Sequence, residues 1–153
     1  MQRLMFNVFV LAVIGSTGCQ SQTQAPAGSS AGGQKIAVIS ITSDAQKDPQ
    51  AVNMGLTFAN FCADEKYQVA IFFNVKGAQL PTKEFPDDFK YLEHEPLKAQ
   101  IKALAAKGVE IHVCPVCMKD LEITDSEIME EAFVTTKPKL FSKLGPDTMV
   151  FTY

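Results

Sequence analysis

The chain alternates short apolar runs with segments of helical spacing, and this pattern predicts strands and helices in turn. Residues 35–41, 68–75 and 109–113 are short apolar runs rich in β-branched side chains, a composition typical of buried strands. Residues 148–153 have the same character and predict a terminal strand.

The segments between these runs predict helices. Asp48 has the side chain of an N-cap and Pro49 suits the first helical position, and apolar residues recur at helical spacing after them. A second helix is predicted over residues 95–107, ended by Gly108, and a third over residues 124–133. Because strands alternate with helices, the expected fold class is α/β, with a mainly parallel sheet and helices on both faces.

The first 18 residues have the pattern of an export signal rather than of a folded domain. Arg3 is followed by an apolar run over residues 4–14 and then by small residues. A charged start, an apolar stretch of this length and a small-residue exit are typical of a secretory signal peptide, and the run is too short to span a bilayer. We therefore expect residues 1–18 to be a signal peptide and the protein to be exported to the cell envelope.

Cys19 follows this signal directly. The segment Ser16-Thr17-Gly18-Cys19 resembles the bacterial lipobox, in which the cysteine is acylated and becomes the mature N-terminus. Ser16 departs from the pattern, which usually has an aliphatic residue at that position. The resemblance implies a lipid on Cys19 that anchors the protein to a membrane, facing the periplasm.

The residues after Cys19 predict a tether and limit the class of partner. Residues 20–34 carry no charge and no large apolar side chain, so residues 19–34 are expected to be a lipid attachment site with a flexible tether, and residues 35–153 the folded domain. Arg3 is the only arginine, and the formal net charge is −3. The domain therefore lacks the basic field and the guanidinium forks that favour nucleic acid.

The residues with the most reactive chemistry lie where the third predicted strand ends. Cys114 lies at the carboxyl end of that strand, where the sites of open parallel sheets collect, and Cys117 follows one turn later. The N–H groups of a following turn or helix can stabilise a thiolate on Cys114. If the strand holds, His112 shares the face of Cys114, and its imidazolium would also favour the thiolate. We expect Cys114 to be the more reactive thiol and Cys117 to resolve it.

Three interpretations of this cysteine pair stay open. They are redox or sulfur-transfer chemistry on Cys114, metal binding by Cys114 and Cys117 with a histidine, and a structural disulfide or inert thiols. A structural zinc site normally has four ligands, often from two such pairs, and this chain has one pair. The segment Thr42-Ser43-Asp44 follows the first strand, where flavodoxins hold phosphate, but it lacks glycine, so no cofactor is expected.

Several motifs, in their order and spacing over residues 35–153, resemble the DsrE/DsrF-like family. They are Asp48-Pro49-Gln50-Ala51, Gly55-Leu56-Thr57-Phe58-Ala59, the strand Val69-Ala70-Ile71-Phe72-Phe73 ending in Lys76-Gly77, and Gly108-Val109 leading to Cys114. The resemblance implies a flavodoxin-like three-layer sandwich and a homo-oligomer, a trimer or hexamer.

The resemblance also implies a role for the cysteines. Sulfur-relay members of the family carry a persulfide on a cysteine directly after this strand, which corresponds to Cys114, and some have a second cysteine that corresponds to Cys117. Those members are cytoplasmic and often have Arg-Arg-Gly shortly after the cysteine, where this chain has KDLE at residues 119–122.

The expected function is thiol chemistry by an exported, membrane-tethered domain. It would be persulfide transfer or thiol redox, with a sulfur donor, a sulfur acceptor or a thiol reductant as partner. The alternatives are a non-catalytic oligomeric binding module, in which the CxxC only closes a loop, and a metal-handling lipoprotein.

Overall fold

The computed structural model describes residues 34–153, so the predicted signal peptide, Cys19 and nearly all of the predicted tether lie outside the described residues. The described chain forms strands and helices in alternation, with two 3-10 turns. In chain order they are β1 (Ile36–Ile41), α1 (Pro49–Asp64), β2 (Gln68–Phe73), a 3-10 turn (Val75–Gln79), α2 (Leu97–Ala106), β3 (Glu110–Val113), α3 (Pro115–Asp120), a 3-10 turn (Asp125–Glu127), β4 (Phe133–Val134), α4 (Lys137–Phe141) and β5 (Thr148–Thr152).

The strands form one sheet in the order β4-β3-β2-β1-β5, and every pair of neighbouring strands is parallel. This confirms the predicted α/β class with a parallel sheet. The four runs predicted as strands are β1, β2, β3 and β5, while β4 is a short edge strand that the apolar pattern did not indicate. Because the strands are parallel, the carboxyl ends of β1, β2 and β3 lie side by side at one edge of the sheet.

One face of the sheet is covered by α1 and α2, which also pack against each other. Asp48 caps α1 as predicted, since its carboxylate accepts the N–H of Ala51 at 3.1 Å, and Pro49 is the first helical residue. Gly108, with φ at +87°, follows α2. The side chains buried in this layer include Ala37, Ile39, Ile41, Val52, Leu56, Ala59, Val69, Ile71, Phe73, Leu97, Ile101, Leu104 and Ile111.

The opposite face is crossed by the connection between β4 and β5. These strands lie at opposite edges of the sheet, so residues 135–147 must pass over it, and α4 is part of that crossing. Lys143 in this connection pairs with Glu110 of β3, which fixes the crossing to this face. None of the helices within residues 34–153 has the length and apolarity that a bilayer crossing requires.

The helix predicted over residues 124–133 is wrong beyond its first turn. Thr124 and Glu127 form the capping box that a helix start would have, but the turn ends at Glu127. The chain then becomes extended, because the N–H of Met129 bonds to the carbonyl of Pro81 at 3.0 Å and Ile128 forms an antiparallel bridge with Thr82. Bonds to a distant segment thus replace the bonds that would continue the helix.

Candidate thiol site

Cys114 lies at the junction between β3 and α3. Its N–H donates to the carbonyl of Phe73 at 3.0 Å, which continues the β2–β3 pairing by one residue and fixes the end of the strand. The next residue, Pro115, suits the first helical position, because the N–H that proline lacks would have no partner within the helix there. The chain therefore enters α3 directly, with Cys114 as N-cap. The site is therefore at the carboxyl edge of the sheet, as the sequence predicts.

Two main-chain N–H groups are directed at the two sulfur atoms. The N–H of Cys117 donates to Sγ of Cys114 at 3.4 Å, and the N–H of Val75 donates to Sγ of Cys117 at 3.0 Å. Both cysteines are thiols and both are half-buried. The structure therefore brings Cys114 and Cys117 together, and it adds Val75, in the turn after β2, to the pair.

The surroundings of Cys117 make its thiol a weaker acid than an ordinary cysteine thiol. Burial and the hydrogen bond with Cys114 raise the pKa of Cys117, and the Val75 N–H lowers it by less. Because the thiolate is the nucleophile, a raised pKa leaves Cys117 mostly protonated and poorly suited to begin a reaction at neutral pH. This favours Cys114 as the thiol that attacks first.

His112 is fully buried on β3, and both of its ring nitrogens have partners other than a cysteine. Nδ1 lies 2.8 Å from the hydroxyl of Thr135, and Nε2 lies 3.2 Å from a carboxylate oxygen of Glu110. The ring also stands edge-on to Phe133, with 4.5 Å between the centroids. The predicted action of His112 on Cys114 stays a prediction, and these contacts give the ring a structural place between β3 and β4.

Burial and the neighbouring charged groups together set the pKa of His112. Burial lowers the pKa of His112, and the carboxylate of Glu110 offsets part of that shift. Burial alone would raise the pKa of Glu110, but the ammonium of Lys143 and the ring of His112 bring it below its usual value. The pair therefore favours a neutral imidazole beside an ionised carboxylate, which disfavours an imidazolium for the thiol chemistry.

An open cavity of about 430 Å³ lies beyond α3, on the same edge of the sheet. Neither cysteine lines it. Its lining is acidic and has no lysine, and it comprises Asp44, Ala45, Gln46, Gln79, Thr82, Glu84, Phe85, Pro86, Leu121, Glu122, Ile123 and Glu127. Carboxylates in a concave surface disfavour anionic ligands, and one of them, Glu122, belongs to the KDLE segment at residues 119–122.

The third cysteine of the described residues, Cys62, lies in the core and apart from the thiol pair. Cys62 is buried in the core on α1, and burial raises the pKa of its thiol. Across residues 34–153, no three side chains among His, Cys, Asp and Glu come together as a possible metal site.

Val75 is the part of the site that the sequence pattern does not indicate. Valine favours strands, so the run 68–75 predicted a strand through Val75, whereas β2 ends at Phe73 and Val75 adopts a left-handed conformation with φ at +48°. The Lys76-Gly77 pair does indicate a turn. No local signal predicts that a main-chain N–H of this turn reaches a cysteine 42 residues later.

The fold and the site define a small α/β protein with a thiol pair at the carboxyl edge of a parallel sheet. The chain belongs to the DsrE/DsrF-like family, whose family model matches residues 35–144. This confirms the resemblance seen in the sequence motifs. No curated protein sequence matches the chain.

Solved structures show the same fold at low sequence identity. One is MTH1491 of Methanobacterium thermoautotrophicum, a protein of unknown function, with 13% identity, a TM-score of 0.60, and coverage of 78% of this chain and 99% of that one. Another is the ychN protein of E. coli, with 15% identity, a TM-score of 0.56, and coverage of 79% and 100%. These likenesses support the α/β architecture.

Proposed function

We propose that this domain is a thiol-based sulfur carrier, in which Cys114 accepts sulfur and Cys117 resolves the product. The observation that carries the proposal is the pair of half-buried thiols whose sulfurs both accept main-chain N–H bonds at the end of β3. Membership of a family with a sulfur-relay-type role supports the same chemistry.

The proposed reaction needs only a persulfide donor and a dithiol reductant. The thiolate of Cys114 attacks the outer sulfur of the donor persulfide, so a new S–S bond forms on Cys114 and the donor leaves as a thiolate. An acceptor thiol can then take this sulfur. Alternatively, the thiolate of Cys117 attacks Sγ of Cys114, which forms the Cys114–Cys117 disulfide and releases hydrosulfide. The dithiol restores both thiols and is itself oxidised to a disulfide.

Mass spectrometry after exposure to a persulfide donor tests this proposal. We expect Cys114→Ser to gain no sulfur, and Cys117→Ser to accumulate a persulfide on Cys114 because the resolving thiol is missing. Cys62→Ser is the matched control, since Cys62 is buried in the core and takes no part in the reaction. A persulfide on Cys117 alone, or none in the unmodified chain, would count against sulfur transfer.

A stability measurement separates this chemistry from the structural alternative. If the cysteine pair only closes a loop as a disulfide, its reduction should cost stability, with about 2–4 kcal/mol typical of a native disulfide. If the pair is a reactive site, reduced and oxidised forms should unfold at similar denaturant concentrations. A loss of that size on reduction, without persulfide formation, would favour the binding-module alternative.

We also propose that the protein is exported and held at a membrane by a lipid on Cys19. Residue 35 enters the fold at the amino end of β1, and the thiols lie at the carboxyl end of the sheet, roughly 20 Å away for a six-residue strand. In this proposal the thiol pair meets its partners in the periplasm. Palmitate labelling that survives Cys19→Ala would rule out this anchor.

A further inference from the structure

The turn that follows β2 has a backbone conformation that its sequence disfavours. Val75 has φ at +48°, a left-handed value that β-branched residues rarely adopt because the side chain crowds the backbone. Burial of the side chain does not explain this conformation, since 56% of Val75 is exposed. Packing of the valine side chain therefore does not account for the left-handed conformation of the turn.

Contacts with the end of β1 hold this turn in place. The N–H of Asn74 donates to the carbonyl of Ile41 at 3.0 Å, and the N–H of Gly77 donates to the carbonyl of Thr42 at 3.2 Å. The amide of Asn74 also donates to the hydroxyl of Ser40 at 3.0 Å. A Cβ on Gly77 would lie 2.2 Å from the Ile41 oxygen, so only glycine allows this approach. The residues on both sides of Val75 are thus fixed to β1.

The left-handed conformation of Val75 directs its N–H group at the sulfur of Cys117. With its neighbours fixed, the Val75 N–H lies 3.0 Å from Sγ of Cys117. A hydrogen bond to an ionised acceptor is roughly twice as strong as one between neutral groups. The N–H therefore stabilises Cys117 more as a thiolate than as a thiol, which opposes the increase in the pKa of Cys117 that burial and the hydrogen bond with Cys114 cause. It is already in position before any charge develops.

We propose that the main-chain N–H of Val75 is a positioning group that directs incoming thiols to Cys114, by stabilising Cys117 as the thiolate that leaves. This inference rests on the proposed function, because it concerns the return of the oxidised pair to its thiols. Val75 itself forms no bond with the substrate.

An incoming thiolate attacks Sγ of Cys114 in the Cys114–Cys117 disulfide. A mixed disulfide forms on Cys114, and the electron pair of the broken bond goes to Sγ of Cys117, which accepts the Val75 N–H. A second thiolate then attacks the sulfur of the first reductant group, so the reductant leaves as a disulfide and Cys114 leaves as a thiolate. Attack on Cys117 would instead expel Cys114, whose sulfur receives the longer bond from the Cys117 N–H.

Replacing the peptide bond by an ester tests the N–H without changing a side chain. α-Hydroxyvaline at position 75 removes this donor and keeps the valine side chain. The matched control is α-hydroxyvaline at position 116, because Val116 is also an exposed valine beside the thiols. Both esters would be made in the full chain, purified in mild detergent, and checked by circular dichroism.

The first readout is the acidity of Cys117, followed by thiolate absorbance across a pH series in a Cys114→Ser background. We expect the ester at position 75 to move the Cys117 transition to higher pH, and the ester at position 116 to leave it in place. This readout does not require sulfur transfer. If the full chain accepts no sulfur from a persulfide but the transition still moves, sulfur transfer fails as a function while the role of Val75 stands.

The second readout is the site at which a thiol attacks the oxidised pair, from peptide mapping of the trapped mixed disulfide. We expect Cys114 to carry the adduct, and the ester at position 75 to slow attack there by about tenfold, as the loss of one hydrogen bond to a charged group would. The ester at position 116 is the control here too, and it should leave the rate of attack on Cys114 unchanged. If the ester at position 116 slows attack as much as the ester at position 75, or if the ester at position 75 changes neither readout, the inference is overturned.

Discussion

Gly77 shows how strongly a single position can be constrained in this fold. Its backbone approaches β1 so closely that a Cβ would meet both the carbonyl oxygen and the carbonyl carbon of Ile41, at 2.2 and 2.9 Å. Backbone atoms cannot move aside as the end of a flexible side chain can. The turn that carries Val75 to the thiol pair therefore depends on the absence of a side chain at residue 77.

We predict that Gly77→Ala destabilises the protein by about 1–3 kcal/mol, the usual cost of forcing extra volume into a packed region. The control is Gly145→Ala, because a Cβ there would have its nearest neighbour 4.0 Å away, at the hydroxyl of Thr148. Urea unfolding followed by circular dichroism measures both. Equal stability of the two variants would contradict the close approach at Gly77.

At the scale of the elements, a buried lysine organises the long connection between β2 and α2. Lys98 is on α2, and its side chain is 5% exposed. Its ammonium donates to the carbonyls of Phe85 and Lys83 at 2.9 and 3.3 Å and pairs with the carboxylate of Asp87 at 2.6 Å. The three donors of the group are thus matched by three acceptors, and the irregular chain over residues 83–87 is tied to the helix.

We predict that Lys98→Met lowers the free energy of unfolding by about 1–3 kcal/mol, because it leaves buried carbonyls without a donor. Amide exchange in residues 83–87 should become faster in the variant, since the connection loses its attachment to α2. Lys102→Met, at an exposed position on the same helix, serves as the control. Unchanged exchange in both variants would show that Lys98 does not hold this segment.

For the whole molecule, the network around His112 predicts a pH dependence of stability. Burial lowers the pKa of His112 in the folded protein, with Lys139 and Lys143 adding to the shift and Glu110 opposing it. The unfolded chain takes up a proton at the usual histidine value of about 6.5, and the folded protein resists it until a lower pH. Stability should therefore fall as the pH drops below about 6.5.

Unfolding free energies measured at about pH 7.5, 6.5 and 5.5 check this expectation. His112→Gln should abolish the decrease between the two lower values, since its amide does not titrate and can still bond to Glu110 and Thr135. His94→Gln, at an exposed position, controls for the loss of a histidine. A decrease that persists in His112→Gln would assign it to another group.

We expect the exposed apolar surface of α1 and β5 to be a contact between subunits of the expected homo-oligomer. Phe58 of α1 packs edge-on against Phe151 of β5, with 4.6 Å between the rings. Around them, Met54 and Phe61 are 46% and 55% exposed on α1, and Met149 is 38% exposed on β5. Exposed apolar patches of this kind commonly mark protein interfaces.

We predict that Phe61→Glu combined with Met149→Glu lowers the mass measured by light scattering at micromolar concentration. Leu92→Glu is the control, because Leu92 is 67% exposed and belongs to the connection before α2 rather than to α1 or β5. A monomer in the unmodified chain would contradict the oligomer. An oligomer that tolerates both charges would instead exclude this surface as the contact.

The sequence by itself determined the elements whose signals are local. The β-branched runs gave β1, β2, β3 and β5, the Asp48-Pro49 pair gave the start of α1, and the position of Cys114 at a strand end placed the thiol pair at the carboxyl edge. These succeed because apolar periodicity and capping depend on neighbouring residues, and because parallel strands bring their carboxyl ends together.

Only the tertiary structure decided the features that depend on distant partners. The capping box at Thr124 signals a helix, yet bonds from Ile128 and Met129 to the segment around Pro81 make the chain extended there. The ring of His112 is held by Thr135, which comes to it only because β4 pairs with β3. The Val75 N–H reaches Cys117 because the turn is fixed to β1. Each outcome is set by contacts between residues far apart in sequence, which can override a local preference of about a kilocalorie per mole.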